Sequence, residues 1–182
     1  MKRRQFTLAT MTALPLAALG QRKEATAERT NKPFVVKSQQ SRFGEKTIVG
    51  ASPNDIKVSA KDTNGDLTIF EYIGNDKGGP PLHIHHKQDE VFFILEGEYL
   101  FQVGDEKHNL KSGDTIFLPR TVPHTFAQLT QKGKMFYLFQ PSGKMEDFFR
   151  KAGEVKGAPT PEEGAKLFAD HDMQVVGPPL KF

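Results

Sequence analysis

The segment Leu82-His83-Ile84-His85-His86-Lys87-Gln88-Asp89-Glu90 concentrates residue types that bind metal ions, and Pro123-His124 adds an imidazole further along the chain. Side chains two residues apart on a β-strand project from the same face, so His83 and His85 can present their imidazoles together. Glu90 follows across a turn, at the head of the apolar run Val91-Phe92-Phe93-Ile94-Leu95. Three imidazoles and one carboxylate suit a divalent transition metal whose remaining positions are filled by water or substrate. Asp89 is the competing carboxylate, but strand alternation turns it to the face opposite Glu90. By the same alternation His86 faces away from His85, which predicts a solvent or turn position. His108, in a polar segment read as a hairpin, and His171, near the end of a C-terminal helix, are expected to be structural. Arg120, in the loop before His124, is expected in a surface salt bridge, the commoner fate of such a residue than holding an anionic substrate.

Strands must position these groups. Short β-type runs bounded by turn residues occur at Phe34–Val36, Thr47–Val49, Ile56–Val58, Leu67–Ile73, Val91–Leu95, Tyr99–Val103, Thr115–Leu118, His124–Ala127 and Met135–Phe139. Such a series, with no helical period, predicts an all-β antiparallel sandwich or closed barrel. Thr63–Asp66, Val103–Asp105 and Lys132–Gly133 read as hairpin turns. Val91–Leu95 and Met135–Phe139 are apolar on both faces, which predicts cover from a second sheet, a helix or a partner subunit. Beyond Pro141-Ser142-Gly143 the pattern changes. Lys144–Lys151 is amphipathic with Phe148 and Phe149, and Pro161 followed by Glu162 and Glu163 opens a helix carrying Leu167 and Phe168. The expected organisation is a barrel over residues 34–143 and a helical extension over 144–182. No internal repeat is visible, so one barrel is expected.

Phe92 and Ile94 share the face of Glu90, and Phe126 shares that of His124. They are core residues first; if the metal ligands point into the barrel they also wall a dry pocket suited to a planar or apolar substrate. Tyr137 sits on a strand near the barrel end, and its hydroxyl is expected in a structural hydrogen bond.

Composition narrows the partners. The formal charge of +3 depends on Lys2, Arg3 and Arg4; without them 22 basic residues balance 22 acidic ones. A balanced chain has no electrostatic footprint for nucleic acid. Those three residues precede the apolar segment Ala9–Leu19, too short to span a bilayer, which reads as a signal peptide over residues 1–20, with 1–27 as the alternative, followed by a spacer to residue 33. Arg3-Arg4-Gln5-Phe6-Thr7-Leu8 resembles a twin-arginine signal, so export to the periplasm or beyond is expected, without a stable membrane anchor after cleavage. The absence of cysteine excludes disulfides, thiolate nucleophiles and thiolate metal sites.

The motifs carry a resemblance. His83, His85, Glu90 and Gly97 fit the cupin pattern His-x-His-x4-Glu-x6-Gly, and Gly113, Pro119 and His124 meet most of the second, Gly-x5-Pro-x-Gly-x2-His-x3-Asn. Gly78 stands one residue closer to His83 than the usual leading glycine, Thr121 replaces the second motif's inner glycine, and Gln128 replaces its asparagine. These departures bear on loop shape and substrate contacts rather than on metal binding. The single barrel, the wording Pro80-Pro81-Leu82-His83-Ile84-His85-His86 and the late Gly177-Pro178-Pro179 resemble quercetin 2,3-dioxygenase-like cupins. The resemblance implies a jelly-roll barrel (double-stranded β-helix), one divalent ion (Fe, Mn, Ni, Co, Cu or Zn) held by His83, His85, Glu90 and His124, and a homodimer. It also implies an oxygen-dependent dioxygenase cleaving a flavonol-like or enolisable diketone substrate. Glu90 would then both ligate the ion and accept the substrate's hydroxyl proton. Two other readings use the same residues: a metal-assisted isomerase or lyase of a small sugar or acid, and a cupin that binds a ligand or metal without turnover. The apolar inward positions favour the aromatic substrate.

Overall fold

The computed structural model describes residues 29–155, 157 and 159–182. Two antiparallel sheets face each other. One holds β1 (Ile48–Val49), β2 (Ser52–Val58), β3 (Thr68–Gly74), β10 (Gly133–Gln140), β5 (Asp89–Glu96) and β8 (Thr115–Leu118), in that spatial order. The other holds β11 (Met173–Pro179), β4 (Pro81–His85), β9 (His124–Gln128), β6 (Glu98–Val103) and β7 (Glu106–Lys111). Three helices, α1 (Ala60–Thr63), α2 (Met145–Glu154) and α3 (Pro161–Asp170), complete the described elements. The strand-rich pattern of the sequence is realised as a mostly β barrel with short C-terminal helices.

Alternation sets the interior. Along β5, Glu90, Phe92 and Ile94 are buried while Phe93 and Leu95 are exposed, and along β10 Met135, Tyr137 and Phe139 are buried. Phe70 of β3 stacks on Tyr137 at 5.2 Å between ring centres, and Tyr137 stacks on Phe92 at 5.1 Å, so three neighbouring strands share one aromatic column. Each such ring contributes roughly 1.5–3 kcal/mol by leaving water. Gly97 reverses the chain between β5 and β6 at φ +88°, where a Cβ would lie 2.6 Å from Thr130 Oγ1 and 2.8 Å from the Lys132 carbonyl. Both the dihedral and the space require glycine.

Several local expectations are corrected. Phe34–Val36 is not a strand; Phe34 lies instead under the Arg42 guanidinium, 3.9 Å from its ring centre. Thr63–Asp66 is not a tight hairpin but the end of α1, whose cap Asn64 is left-handed at φ 55°. Lys132–Gly133 leads from β9 in one sheet into β10 in the other. The polar segment around His108 does lie in a hairpin, as its second strand β7, paired with β6 through the Gly104 turn. The 144–182 stretch holds helices α2 and α3 but then returns to the barrel as β11, which pairs with β4 opposite both His83 and His85.

Two buried carboxylates fasten the outer layers. Glu146 of α2 accepts from the Ala60 N–H at 2.6 Å, Ser59 Oγ at 3.1 Å and Thr68 Oγ1 at 3.0 Å, which anchors α2 to the barrel. Glu71 of β3 pairs with Lys57 at 2.9 Å and Lys134 at 2.6 Å and accepts from the Gln39 N–H at 2.8 Å, holding the segment before β1 against the sheet. Burial alone would raise the Glu71 pKa, but the hydrogen bonds from Lys134, Lys57, Gln39 and Ser38 take it down to about 2.

Candidate metal centre and cavity

His83, His85 and His124 come together inside the barrel. Each offers a ring nitrogen, and the three atoms lie within 4.8 Å of one another. His83 and His85 are on β4 and His124 on β9, while Glu90 reaches across from β5 in the opposite sheet. The Glu90 Oε2 atom is 3.3 Å from His124 Nε2 and 3.8 Å from His85 Nε2. All four predicted residues are buried and line one cavity. His86 is exposed, as alternation predicts. Asp89 points outward and pairs with Arg120, whose Nε is 3.0 Å from its Oδ1, which gives Arg120 the salt-bridge role expected of it.

Hydrogen bonds fix which nitrogens face the cluster. His83 Nδ1 is 2.8 Å from the Pro81 carbonyl and His124 Nδ1 is 2.9 Å from the Val122 carbonyl. A carbonyl only accepts, so each Nδ1 donates its proton and each neutral ring keeps its lone pair on Nε2. His83 Nε2 and His85 Nε2 then stand 3.2 Å apart, and His124 Nε2 is buried with no hydrogen-bond partner. The unpartnered Nε2 of His124, beside these two further ring nitrogens, is a group that a cation among them would satisfy. Three imidazole nitrogens with a neighbouring carboxylate therefore fit a divalent transition ion, and the cluster can hold one.

The electrostatics favour the same occupant. Burial, reinforced by proximity to His124, lowers the His83 pKa to about 3. Burial and the neighbouring His83 and His124 hold His85 well below the ordinary histidine value, against a smaller upward pull from the adjoining Gln88 amide. Both rings are thus neutral at physiological pH, the form in which an imidazole can bind a metal ion. Burial raises the Glu90 pKa, opposed by His124.

The cavity has a volume of about 550 Å³. Phe92, Phe126 and Tyr137 line it, whereas Ile94 does not and is buried in the core. The Tyr137 hydroxyl donates to Asn54 Oδ1 at 2.8 Å, the structural bond expected of it. Sequence reasoning missed the outer wall, formed by Phe148 and Phe149 of α2 and Leu167 and Phe168 of α3. Phe168 meets His83 edge-on at 5.3 Å. The apolar stripes of these helices were legible, but not that they cover the metal site. His171, which caps α3, is buried in the structural role expected of it, with Nδ1 2.7 Å from the Leu167 carbonyl and Nε2 3.2 Å from Asp147 of α2. Among the described residues no lysine or arginine lines the cavity.

A two-sheet barrel with three inward histidines from two strands is the architecture of a cupin, and residues 70–139 match the model of the cupin domain. The fold is that of a cupin. It is 26% identical over 145 residues to a quercetin 2,3-dioxygenase of Bacillus subtilis, across 79% of this chain and 42% of that protein. It is 44% identical over 43 residues to an uncharacterized protein of Methanocaldococcus jannaschii, across 24% of this chain and 34% of that one. The chain therefore spans less than half the length of these two relatives. An RmlC-like cupin from Shewanella frigidimarina superposes with a TM-score of 0.53 at 22% identity, covering 64% of this chain and 96% of that one, a likeness of fold.

Proposed function

We propose that this protein is a metal-dependent dioxygenase acting on an uncharged, planar substrate with an enolic hydroxyl beside a carbonyl, such as a flavonol or a 1,3-diketone. The observation that carries this reading is the junction of an aromatic cavity, lined by no lysine or arginine among the described residues, with three histidines and Glu90. The distant likeness to quercetin 2,3-dioxygenase points the same way. A carboxylate, phosphate or sugar-acid substrate would need a cationic partner, and none lines the cavity among the described residues. The reading as an isomerase or lyase of a small acid loses ground for that reason.

His83, His85 and His124, with Glu90, would hold the ion. Bound there, it would supply open positions for substrate and a positive charge that lowers the pKa of a coordinated hydroxyl. Glu90 accepts that hydroxyl proton on its carboxylate, leaving the substrate as an electron-rich enolate, and its burial suits it to take up a proton. Dioxygen is the co-substrate, and its two atoms enter the products as carbon–carbon bonds of the enolate break. Phe92, Phe126 and Phe168 exclude water and stack against the substrate plane. The test is oxygen consumption by the metal-loaded protein with a panel of flavonols and 1,3-diketones. Uptake dependent on substrate is expected; none with any enolisable compound would overturn the proposal.

Two further parts belong to the same reading. The outward residues Phe93, Leu95 and Phe117 of β5 and β8 are exposed at 41%, 42% and 57%, an apolar face suited to a second copy of the chain. Residues 1–28 lie outside the described residues, and the signal-like leader is the ground for export. Export should stop when Arg3 and Arg4 are replaced by lysine; unchanged export would overturn the twin-arginine route.

A further inference from the structure

His83 and His124 each have Nδ1 tied to the carbonyl of the residue two places before them, Pro81 and Val122. His85 does not share this arrangement. Its Nδ1 is buried and makes no hydrogen bond. Three residues on, the Gln88 side chain is equally anomalous, since it is 1% exposed and neither its Oε1 nor its Nε2 has a partner. An unpaired buried polar group costs about 1–3 kcal/mol, and these unpaired groups belong to adjoining side chains. The amide fits its place closely. A Cβ on Gly143, in the turn leading to α2, would lie 2.0 Å from Gln88 Nε2, so the missing side chain at that position makes room for it.

We propose that Gln88 is the positioning residue of His85: its Oε1 accepts the proton on His85 Nδ1 and so fixes the ring with Nε2 turned into the cluster. Gln88 thereby does for His85 what main-chain carbonyls do for the other two rings. Such outer partners typically tune metal affinity by about 10–100-fold. Because the amide sits against Gly143, the orientation of one ligand is tied to the turn that starts the C-terminal helices. This inference rests on the metal-centre reading but not on any particular reaction.

The test uses the full chain and two independent readouts. Nitrogen-15 NMR of the metal-free protein reports which nitrogen of neutral His85 carries the proton. Nδ1 is expected, and a proton on Nε2 would overturn the proposal whether or not the protein proves to be an enzyme. Competition with a chromophoric chelator for cobalt(II) gives the affinity. Gln88→Leu should bind about 10–100-fold more weakly than wild type, and Gln88→Glu, which keeps an acceptor, should recover most of that loss. A folded Gln88→Leu protein with wild-type affinity would overturn the proposal, as would equal losses in both variants. If Gln88→Leu fails to fold, the NMR measurement on wild type still decides. A wild-type chain that takes up no cobalt refutes the metal centre itself, a result separate from the NMR outcome.

Discussion

His83 and His124 occupy the one ladder position that joins β4 to β9, and their rings lie 4.7 Å apart between centres. Sheet register and metal geometry are therefore the same constraint. A slip of one residue between these strands would turn one of the two imidazoles out of the barrel, because side chains alternate.

Replacing His124 by alanine should abolish stoichiometric uptake of a first-row metal ion, whereas replacing the exposed His86 should leave it intact. Elemental analysis after reconstitution measures both. Equal losses would mean that the inward face has been misassigned.

Glu90→Gln keeps the size and one carbonyl oxygen but removes the proton acceptor. Metal content should fall only partly, while oxygen consumption per bound metal should drop by roughly 10²–10⁴-fold. Unchanged activity per metal would reduce Glu90 to a ligand and refute its role as base.

Thr121 stands where the family motif has glycine, and its backbone is left-handed at φ 66°, with its N–H donating to the His85 carbonyl at 2.8 Å. A β-branched residue is strained there, at a cost of about 1–3 kcal/mol. Thr121→Gly keeps the N–H and relieves the strain, less the entropy that glycine gains in the unfolded chain. Urea unfolding should show a gain of about 1 kcal/mol with an unchanged slope; a loss would show that the threonine side chain contributes more than its backbone strain costs.

Glu71 gives the fold an acid limit. Its folded pKa of about 2 lies below the ordinary 4.5, so its contribution is complete above the ordinary value and disappears as pH falls toward 2. That contribution is on the order of 3 kcal/mol. Stability measured from pH 6 to pH 2 should decline in wild type, and the part assigned to this group should be missing from Glu71→Gln, which is already weaker at neutral pH. Parallel pH profiles would remove Glu71 as the cause.

The apolar outer face of β5 and β8 should pair two chains. Sedimentation should give a dimer for wild type and a monomer for the double variant Phe93→Glu, Phe117→Glu, with metal content unchanged because both side chains point away from the cavity. A wild-type monomer at high concentration would refute the pairing.

The inward cluster of histidines and Glu90 was legible because its members follow rules local to a strand. The His83/His85 spacing fixes a shared face, and alternation chooses Glu90 over Asp89. The Gly97 turn was legible for a similar reason, a motif position where only glycine fits. What escaped depends on contacts distant in sequence. Strand β11 is rich in glycine and proline and exposes much of its length, so nothing local marks it as a partner of β4. Gln88 showed no signal either, since an amide between a histidine turn and a strand reads as surface until its burial is seen. Ile94 was assigned to the pocket by face alone, and a shared face does not reveal how deep along the barrel a side chain lies.

The pairing of β11 with β4 sets an order of assembly. Strand β4 meets β9 at a single position but β11 at five, from Pro81 opposite Pro179 to His85 opposite Met173. The strand with two of the three histidines is thus held mainly by a segment some ninety residues later in the chain. During synthesis, an ion arriving after Glu90 and His124 have emerged but before β11 would meet histidines on a strand still free to move. On the proposed metal reading, tight capture would await closure of the barrel edge, and the ion retained would be the one available to the finished fold rather than to the growing chain.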